Sequence, residues 1–340
     1  MTEILNAHGS KNDIFVAAMP PRDFASDSDL QAFVRRVCDR NGPFGGDGIY
    51  FYDAGPAVPE AWFFNPDGSF AEFCGNGMRC LGRVILELRG ADASIIRSGP
   101  REYTVRRGST TTEGVRQISL EHPAVDFTPD TPVVAGHRGL SQVRLPELDP
   151  ALEFTAVSIP NPHLVALIGT YVEPDLIAMG EQVAARRDVF PAGANLSLLL
   201  PLAPTEIFVR TYERGAGLTA SCGSGMAASR AVYSRSGRID PERSVLIHNA
   251  GGMATASLRV RLGRWYPVLE GNATFVYRAT VDPAALARGL PAIGEREPYP
   301  DEIRAYTTLD ERNADRLRTV GIKSAAIKSA AIETAAAQTS

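Results

Sequence analysis

Cys74-Gly75-Asn76-Gly77-Met78 recurs as Cys222-Gly223-Ser224-Gly225-Met226, once in each half of a 340-residue chain. Each copy follows a polar loop and precedes a helical apolar pattern. After the first, Met78, Leu81, Val84, Ile85 and Leu88 form a stripe that stops at Gly90. After the second, Ala227, Ala228, Ala231 and Val232 do so before Gly237. A single pentapeptide of this kind is weak evidence, whereas a matched pair reads as an internal duplication. It places each cysteine at a helix N-terminus, where unpaired N–H groups and the helix dipole favour a thiolate and can hold a carboxylate.

Outward from these turns, the chain reads as short strands separated by turn signals. Ile14-Phe15-Val16-Ala17-Ala18, Ile49-Tyr50-Phe51-Tyr52 and Ala61-Trp62-Phe63-Phe64 are expected strands, and Gly45-Gly46-Asp47-Gly48 is a turn leading into the second. Ser28-x-x-Gln31 has the spacing of a capping box ahead of a helix with Leu30, Phe33, Val34 and Val37 on one face, extended by Cys38. Thr104 to Arg106 and Gln117 to Leu120 are later strands. The Pro-rich stretch from Pro123 to Pro132 is the expected linker, with a boundary near residue 126. The second half repeats the style, with strands at Thr155 to Ile159 and Ile207 to Tyr212 and a helix over Pro174 to Arg187. The expected division is 1–125 plus a returning strand at about 268–283, then 126–267, then a helical or flexible extension over 284–340. That extension ends in a five-residue repeat at Ile322, Ile327 and Ile332, which fits neither the helix nor the strand period.

Composition limits what the chain does. It is 44% hydrophobic, 22% charged and 8% aromatic, enough to bury a sizeable core in two domains. Thirty-five Lys and Arg against 39 Asp and Glu give a net charge of −4, which offers no field for a nucleic-acid backbone. No apolar run approaches the roughly 20 residues of a membrane span, and the first residues lack a signal peptide's pattern, so a cytoplasmic protein without a membrane partner is expected. The four cysteines, Cys38, Cys74, Cys80 and Cys222, are too few for a disulfide scaffold and lack metal-site spacing. The chemistry of any special cysteine must therefore lie in its reactivity.

If the two halves fold alike and face one another, Cys74 and Cys222 converge on one ligand. One thiolate then removes a proton from a carbon while the opposite thiol delivers one to the other face, inverting the centre. Two other readings compete. Gly223-x-Gly225-x-x-Ala228 loosely matches a dinucleotide-binding fingerprint, but it does not directly follow an apolar strand and its near-copy at Gly75 breaks the pattern. A redox pair explains two thiols but not the polar residues around them; it predicts a reversible disulfide in a redox or ligand-binding protein without turnover.

Several further motifs complete the picture: His8-Gly-x-x-Asn12-Asp13, Asn65-x-Asp67-Gly68-Ser69, Arg79-Cys80 after the first cysteine turn, Asn161-Pro162-His163, Phe190-Pro191-x-x-x-Asn195 and Glu213-Arg214-Gly215-x-Gly217. Over residues 4 to 280 the sequence resembles the diaminopimelate epimerases, which are cofactor-independent amino-acid epimerases. The resemblance implies an α/β fold of two pseudo-symmetric domains, each a barrel-like, mostly antiparallel sheet around a central helix, with a strand near Phe275 returning to the first domain. It implies no pyridoxal phosphate or metal, a small amino-acid substrate, and a homodimer.

Carried over by motif, Cys74 and Cys222 are the acid/base pair, and Gly75, Asn76, Gly223 and Ser224 bind the reacting carboxylate through backbone donors. Glu213 and Asn12 hold the reacting ammonium, with Glu213 and His163 also assigned to the catalytic set near the thiols. Asn65, Asn161, Asn195 and Arg214 grip the distal amino-acid end, for which an Arg fork and amide side chains are suited. On this resemblance the activity is inversion of LL-2,6-diaminopimelate to the meso form. A related racemase of another amino acid is the alternative. It is motivated by departures from the family's pattern: Ser10-Lys11 before Asn12, Ile14 after Asp13, Gly48, Pro66, Pro160 and the long C-terminal extension.

Overall fold

The computed structural model describes residues 1–290 and 293–322; the repeat units beyond Ile322 lie outside the described residues. The chain divides into two compact units. One contains Met1–Leu120 and Gly271–Glu311, the other Glu121–Glu270 and the stretch that starts at Arg312.

In the first unit the elements run β1 (Thr2–Gly9), β2 (Asn12–Ala17), α1 (Asp27–Cys38), β3 (Gly48–Asp53), β4 (Glu60–Phe64), β5 (Phe70–Ala71), α2 (Gly75–Arg89), β6 (Ala93–Ser98), β7 (Arg101–Thr110) and β8 (Arg116–Glu121). Strand β1 pairs antiparallel with β2, β2 parallel with β3, β3 antiparallel with β4, β4 antiparallel with β5 and parallel with β6, and β6 antiparallel with β7. Strands β1 to β4 are largely buried on both faces, which is why they read as continuous apolar runs rather than alternating ones. Leu5, Ala7, Ile14, Val16, Tyr50 and Phe63 pack with Met78, Leu81 and Ile85 of α2. Their neighbours Ile4, Phe15, Ala17, Ile49, Phe51 and Phe64 pack with Leu30, Phe33, Val34 and Val37 of α1.

Helix α2 is enclosed: every residue from Asn76 to Arg83 is buried. Its inner stripe departs from the sequence expectation, since Leu88 is exposed and Leu86 takes the buried place. Gly90 ends the helix at φ 59°, a left-handed conformation that glycine adopts without a Cβ clash. Helix α1 begins two residues earlier than the Ser28-x-x-Gln31 spacing predicts. Ser26 is its N-cap, accepting from the Asp29 N–H at 3.2 Å and donating to the Asp29 carboxylate at 2.8 Å. Any Ser with an acceptor three residues on can cap, and two overlapping candidates cannot be separated by spacing alone.

The second unit repeats the plan with β9 (Val143–Leu145), β10 (Asp149–Ile159), β11 (Asn161–Leu167), α3 (Glu173–Ala185), β12 (Asn195–Ala203), β13 (Glu206–Glu213), β14 (Gly217–Leu218), α4 (Gly223–Arg235), β15 (Val245–Asn249), β16 (Gly252–Arg261) and β17 (Arg264–Asn272). From β10 to β16 the pairings run antiparallel, parallel, antiparallel, antiparallel, parallel, antiparallel, the same series as from β1 to β7. Val157, Val165, Leu199, Val209 and Ile247 face α4, whose residues Gly225 to Ser234 are all buried. Ala156, Leu164, Ala166, Leu196 and Leu198 face α3.

The remaining elements are β18 (Thr274–Val281), α5 (Pro283–Ala287), β19 (Ile293–Pro298) and α6 (Pro300–Thr319). Strand β18 pairs with β1 and β19, which makes it an inner strand of the first unit, and α5 packs on α1 through Leu286 and Ala287. The first part of α6 docks on that unit. Arg83, fully buried, forms a two-pronged ion pair with Glu302 at 2.5 and 2.6 Å, Tyr306 meets the His8 ring edge-on at 4.3 Å, and Lys11 pairs with Asp310 at 2.7 Å. From Arg312 onward α6 belongs to the second unit, where Asn313 binds His248 at 2.7 Å and Arg316 pairs with Glu206 at 2.6 Å. Among the described residues no helix is long and apolar enough to cross a membrane.

Candidate active site

Both cysteines of the duplicated turn are helix N-caps with extended backbone, Cys74 at φ −130° and ψ 112°, Cys222 at φ −112° and ψ 110°. The carbonyl of each accepts the first helical hydrogen bond, from Met78 at 2.8 Å and Met226 at 2.9 Å. The N–H groups of the residues between, Gly75 and Asn76 in one unit and Gly223 and Ser224 in the other, belong to the helix's first turn, whose donors lack intrahelical partners. The glycines have a packing reason as well. A Cβ on Gly77 would lie 2.9 Å from the Tyr50 ring, and one on Gly225 would lie 2.4 Å from Thr211 Oγ1.

In the first unit, Tyr50 clamps the cap residue. Its hydroxyl accepts from the Cys74 N–H at 2.9 Å and donates to the Cys74 carbonyl at 3.3 Å. Burial, and then the neighbouring Cys74, push this phenol well above its ordinary value, so it stays a neutral donor. The Cys74 thiol donates to Asn12 Oδ1 at 3.4 Å, and Asn12 Nδ2 donates to Asp47 Oδ2 at 3.2 Å. Asn12 reaches this point from the β1–β2 turn, where Ser10 and Lys11 both have positive φ, 55° and 61°. Ser10 N–H donates to Asn272 Oδ1 at 2.7 Å and Arg79 Nη2 donates to Ser10 Oγ at 3.1 Å, which holds this uncommon backbone in place. Burial, followed by the charges of Lys11 and Arg79, lowers His8 to about 3, so it is neutral. Asn65 spends its amide locally, donating to Ser69 Oγ at 3.0 Å within its own turn.

In the second unit a directional chain leads to Cys222. The Asn161 Nδ2 donates to Ser224 Oγ at 3.2 Å, which leaves Asn161 Oδ1 facing His163 Nε2 at 3.2 Å. Burial first, then Arg214 and His122, lower His163 to about 3. A neutral ring facing a carbonyl oxygen carries its proton on Nε2. Ser224 Oγ, having accepted from Asn161, lies 3.6 Å from Cys222 Sγ, which also accepts from the Gly225 N–H at 3.3 Å. Glu213, at the end of β13, hydrogen-bonds both Thr219 and the Cys222 thiol. Burial raises the Glu213 carboxyl, and burial together with Glu213 raises the Cys222 thiol well above its usual value. Burial thus opposes ionisation of both groups, and for the thiol the carboxylate beside it adds to the effect.

The other residues expected at the site serve this frame. Asn195 accepts from the Arg214 N–H at 2.8 Å and donates to the Pro162 carbonyl at 3.4 Å, tying the end of β13 to β11. Arg214 itself is exposed, its Nη1 donating to the Ala192 carbonyl at 2.7 Å. The structure thus brings Asn12 to Cys74, and Glu213, Asn161, His163 and Ser224 to Cys222. Asn65, Asn195 and Arg214 make their hydrogen bonds to Ser69, to Pro162 and Arg214, and to Ala192 respectively. Sequence reading missed Tyr50, Asp47, Asn272 and Thr219. The usable signals were a tyrosine flanked by Ile49 and Phe51 in β3 and a single charge flanked by glycines.

The family model for diaminopimelate epimerase matches residues 4–112 and 155–276, the greater part of the chain. A diaminopimelate epimerase of Ligilactobacillus salivarius is 33% identical over 304 residues, covering 84% of this chain and 92% of that one. One of Clostridium acetobutylicum is 32% identical over 283 residues, covering 82% and 85%. The chain belongs to the diaminopimelate epimerase family. Solved structures with the same fold include a phenazine biosynthesis protein of the PhzF family from Bacillus anthracis, with a TM-score of 0.61 at 14% identity over 82% of this chain and 97% of that one. Another is a predicted epimerase from Pseudomonas aeruginosa, with a TM-score of 0.57 at 15% identity over 82% and 98%. As a diaminopimelate epimerase family member the protein is an isomerase, and the family model covers both cysteine turns.

Proposed function

We propose that the protein inverts the α-carbon of an amino acid without pyridoxal phosphate, and that its substrate is LL-2,6-diaminopimelate, converted to the meso form. The observation that carries this reading is the equivalent placement of Cys74 and Cys222, each the N-cap of the buried helix of its unit. Its support is membership of a family whose curated relatives are diaminopimelate epimerases.

The mechanism requires the two thiols to act on opposite faces of one α-carbon. One, as thiolate, takes the α-proton; the other, as thiol, returns a proton from the far side. The first-turn N–H groups at Gly75, Asn76, Gly223 and Ser224 receive the substrate carboxylate, where negative charge develops as the carbanion forms. Asn12 and Glu213 hold the reacting ammonium. Glu213 exchanges a proton with Cys222, and neutral His163 orients the Asn161–Ser224 chain behind it. Asn65, Asn161, Asn195 and Arg214 receive the distal amino-acid end. The two catalytic domains follow the compact units, and the same reading implies a cytoplasmic homodimer.

The test is exchange of the α-hydrogen in deuterated water across a panel of amino acids that includes LL-diaminopimelate. Turnover and exchange are expected with that substrate and are abolished by Cys74→Ala or Cys222→Ala. Full activity in either variant removes the two-base mechanism. Exchange confined to a different amino acid favours the second reading, a racemase of another substrate, which the unusual Ser10–Lys11 turn beside Asn12 motivates.

A further inference from the structure

The Gly45-Gly46-Asp47-Gly48 turn leads into β3, and its one charged residue reaches the first half-site. Asp47 Oδ2 accepts from Asn12 Nδ2 at 3.2 Å and from the Asp13 N–H at 2.9 Å, while Asp47 Oδ1 accepts from Arg40 at 2.7 Å. The Asp47 N–H donates back to the Asp13 carbonyl at 2.7 Å. The loop and the start of β2 are therefore locked together with the carboxylate aimed at one end of the Asn12 amide.

An amide side chain has a donor end and an acceptor end of nearly the same shape, and only its neighbours decide which way it points. A carboxylate accepts and cannot donate. Opposite Asp47, Asn12 must present Nδ2, which turns Oδ1 toward Cys74, where the thiol donates to it at 3.4 Å. A carbonyl oxygen facing sulfur favours the protonated thiol, and the opposite sense of the amide would favour the thiolate.

We propose that Asp47 is a positioning residue that fixes the sense of the Asn12 amide and thereby keeps Cys74 as a hydrogen-bond donor in the free enzyme. This rests on the reading of Cys74 as one of the two bases. The charged and titratable groups around the pair are Asp13, Arg40 and Cys38 beside Asp47, and Tyr50, Arg79 and Cys80 around Cys74. None of these except Asp47 is hydrogen-bonded to the Asn12 amide among the described residues.

The test compares Asp47→Ala, which removes the acceptor, with Asp47→Asn, which keeps an oxygen for Asn12. Two readouts are used on folded protein: the kcat and KM split with diaminopimelate, and the pH dependence of Cys74 alkylation by iodoacetamide, followed by peptide mass spectrometry. Asp47→Ala is expected to lower kcat by about tenfold, the loss of one hydrogen bond to a charged group, with KM less affected. Its alkylation midpoint falls by about one pH unit as the freed amide turns its donor toward sulfur. Asp47→Asn restores most of both. In an Asn12→Ala background Asp47→Ala adds nothing, since the amide it orients is gone. Should Asp47→Ala not fold, Asp47→Ser, whose short hydroxyl replaces the carboxylate, takes its place. Equal behaviour of the Ala and Asn variants, an unmoved alkylation midpoint, or additive effects with Asn12→Ala would overturn the proposal. Alkylation needs no turnover, so this arm stays decisive even if wild-type protein exchanges no α-hydrogen, a result that would count against the proposed function instead.

Discussion

Glu302 on α6 is the counter-charge of a guanidinium that has almost no access to water, and Glu302→Ala tests how firmly the C-terminal helix is tied to the first unit. The Arg83 side chain is 3% exposed and that of Glu302 is 22% exposed. Besides its two bonds to Glu302, Arg83 donates to Glu87 at 2.8 Å and to the Ala273 carbonyl at 2.7 Å, and its guanidinium lies 3.6 Å over the Phe275 ring. Glu302 also accepts from the Phe275 N–H at 3.0 Å. Truncating one member of a buried ion pair costs about 3–5 kcal/mol. Here Glu87 still offsets part of the stranded charge and Glu302 is partly wet, so a loss of about 2–3 kcal/mol is expected at pH 7. Burial opposes ionisation of Glu302, but the hydrogen bonds and charge of Arg83 outweigh it and hold the carboxyl below its ordinary 4.5. A depressed acid contributes stability that is fully present above its unfolded value and is lost as pH falls through the folded one. The gap between wild type and variant in urea titrations should thus be constant from pH 7 to about 5 and shrink below 4.5. Arg83→Met combined with Glu302→Leu should recover much of the loss, because no charge is then stranded. A single-variant loss under 0.5 kcal/mol, or a gap that widens in acid, would refute the reasoning.

Three other outcomes follow from the same structure. Gly180→Ala places a Cβ 2.2 Å from Tyr212 Cγ, on the α3 face that packs on β13, and should cost about 1–3 kcal/mol in a urea titration; a neutral variant would show that the ring can move aside. His8 and His163 are buried and lowered from 6.5 to about 3, so the unfolded chain binds protons that the folded one does not. Each should therefore remove roughly 1.4 kcal/mol of stability per pH unit below about 6.5, and His163→Gln should flatten that slope on its own account, a change that denaturation at pH 7 and pH 5 will reveal or deny. Tyr50→Phe removes the hydroxyl that pairs with both backbone groups of Cys74 and should lower stability by about 1–2 kcal/mol together with turnover, while unchanged turnover would mean that the cap geometry does not depend on this clamp.

Much of the architecture was legible because it rests on local rules. The paired cysteine turns announced two equivalent helices, and both were found with the cysteine as N-cap, Gly90 closing the first. Strands such as Ile49 to Tyr52 could be read as buried because a strand covered on both faces has no polar side to alternate with. Local rules failed where two candidates shared one spacing. Ser26 and Ser28 both precede an acceptor by three residues, and the chain uses Ser26. Leu86 and Leu88 are both compatible with an apolar stripe, and only the enclosing sheet turns Leu86 inward.

The candidate reactive groups were a property of the sequence: two cysteines, each before a glycine-containing turn, with amides and a Glu-Arg pair at separated points. What surrounds each sulfur was decided by tertiary structure. Asn12 lies 62 positions from Cys74 and Asn161 63 positions from Ser224, yet hydrogen bonds join them. Asp13, Tyr50 and His163 have ordinary side chains whose proton affinities shift because the fold withdraws water from them first and sets other ionisable groups beside them second. Chain-local propensity acts over a few residues and can be read along the sequence. Desolvation and the sense of a buried amide depend on atoms contributed by distant strands, so they exist only once the sheet has closed around its helix.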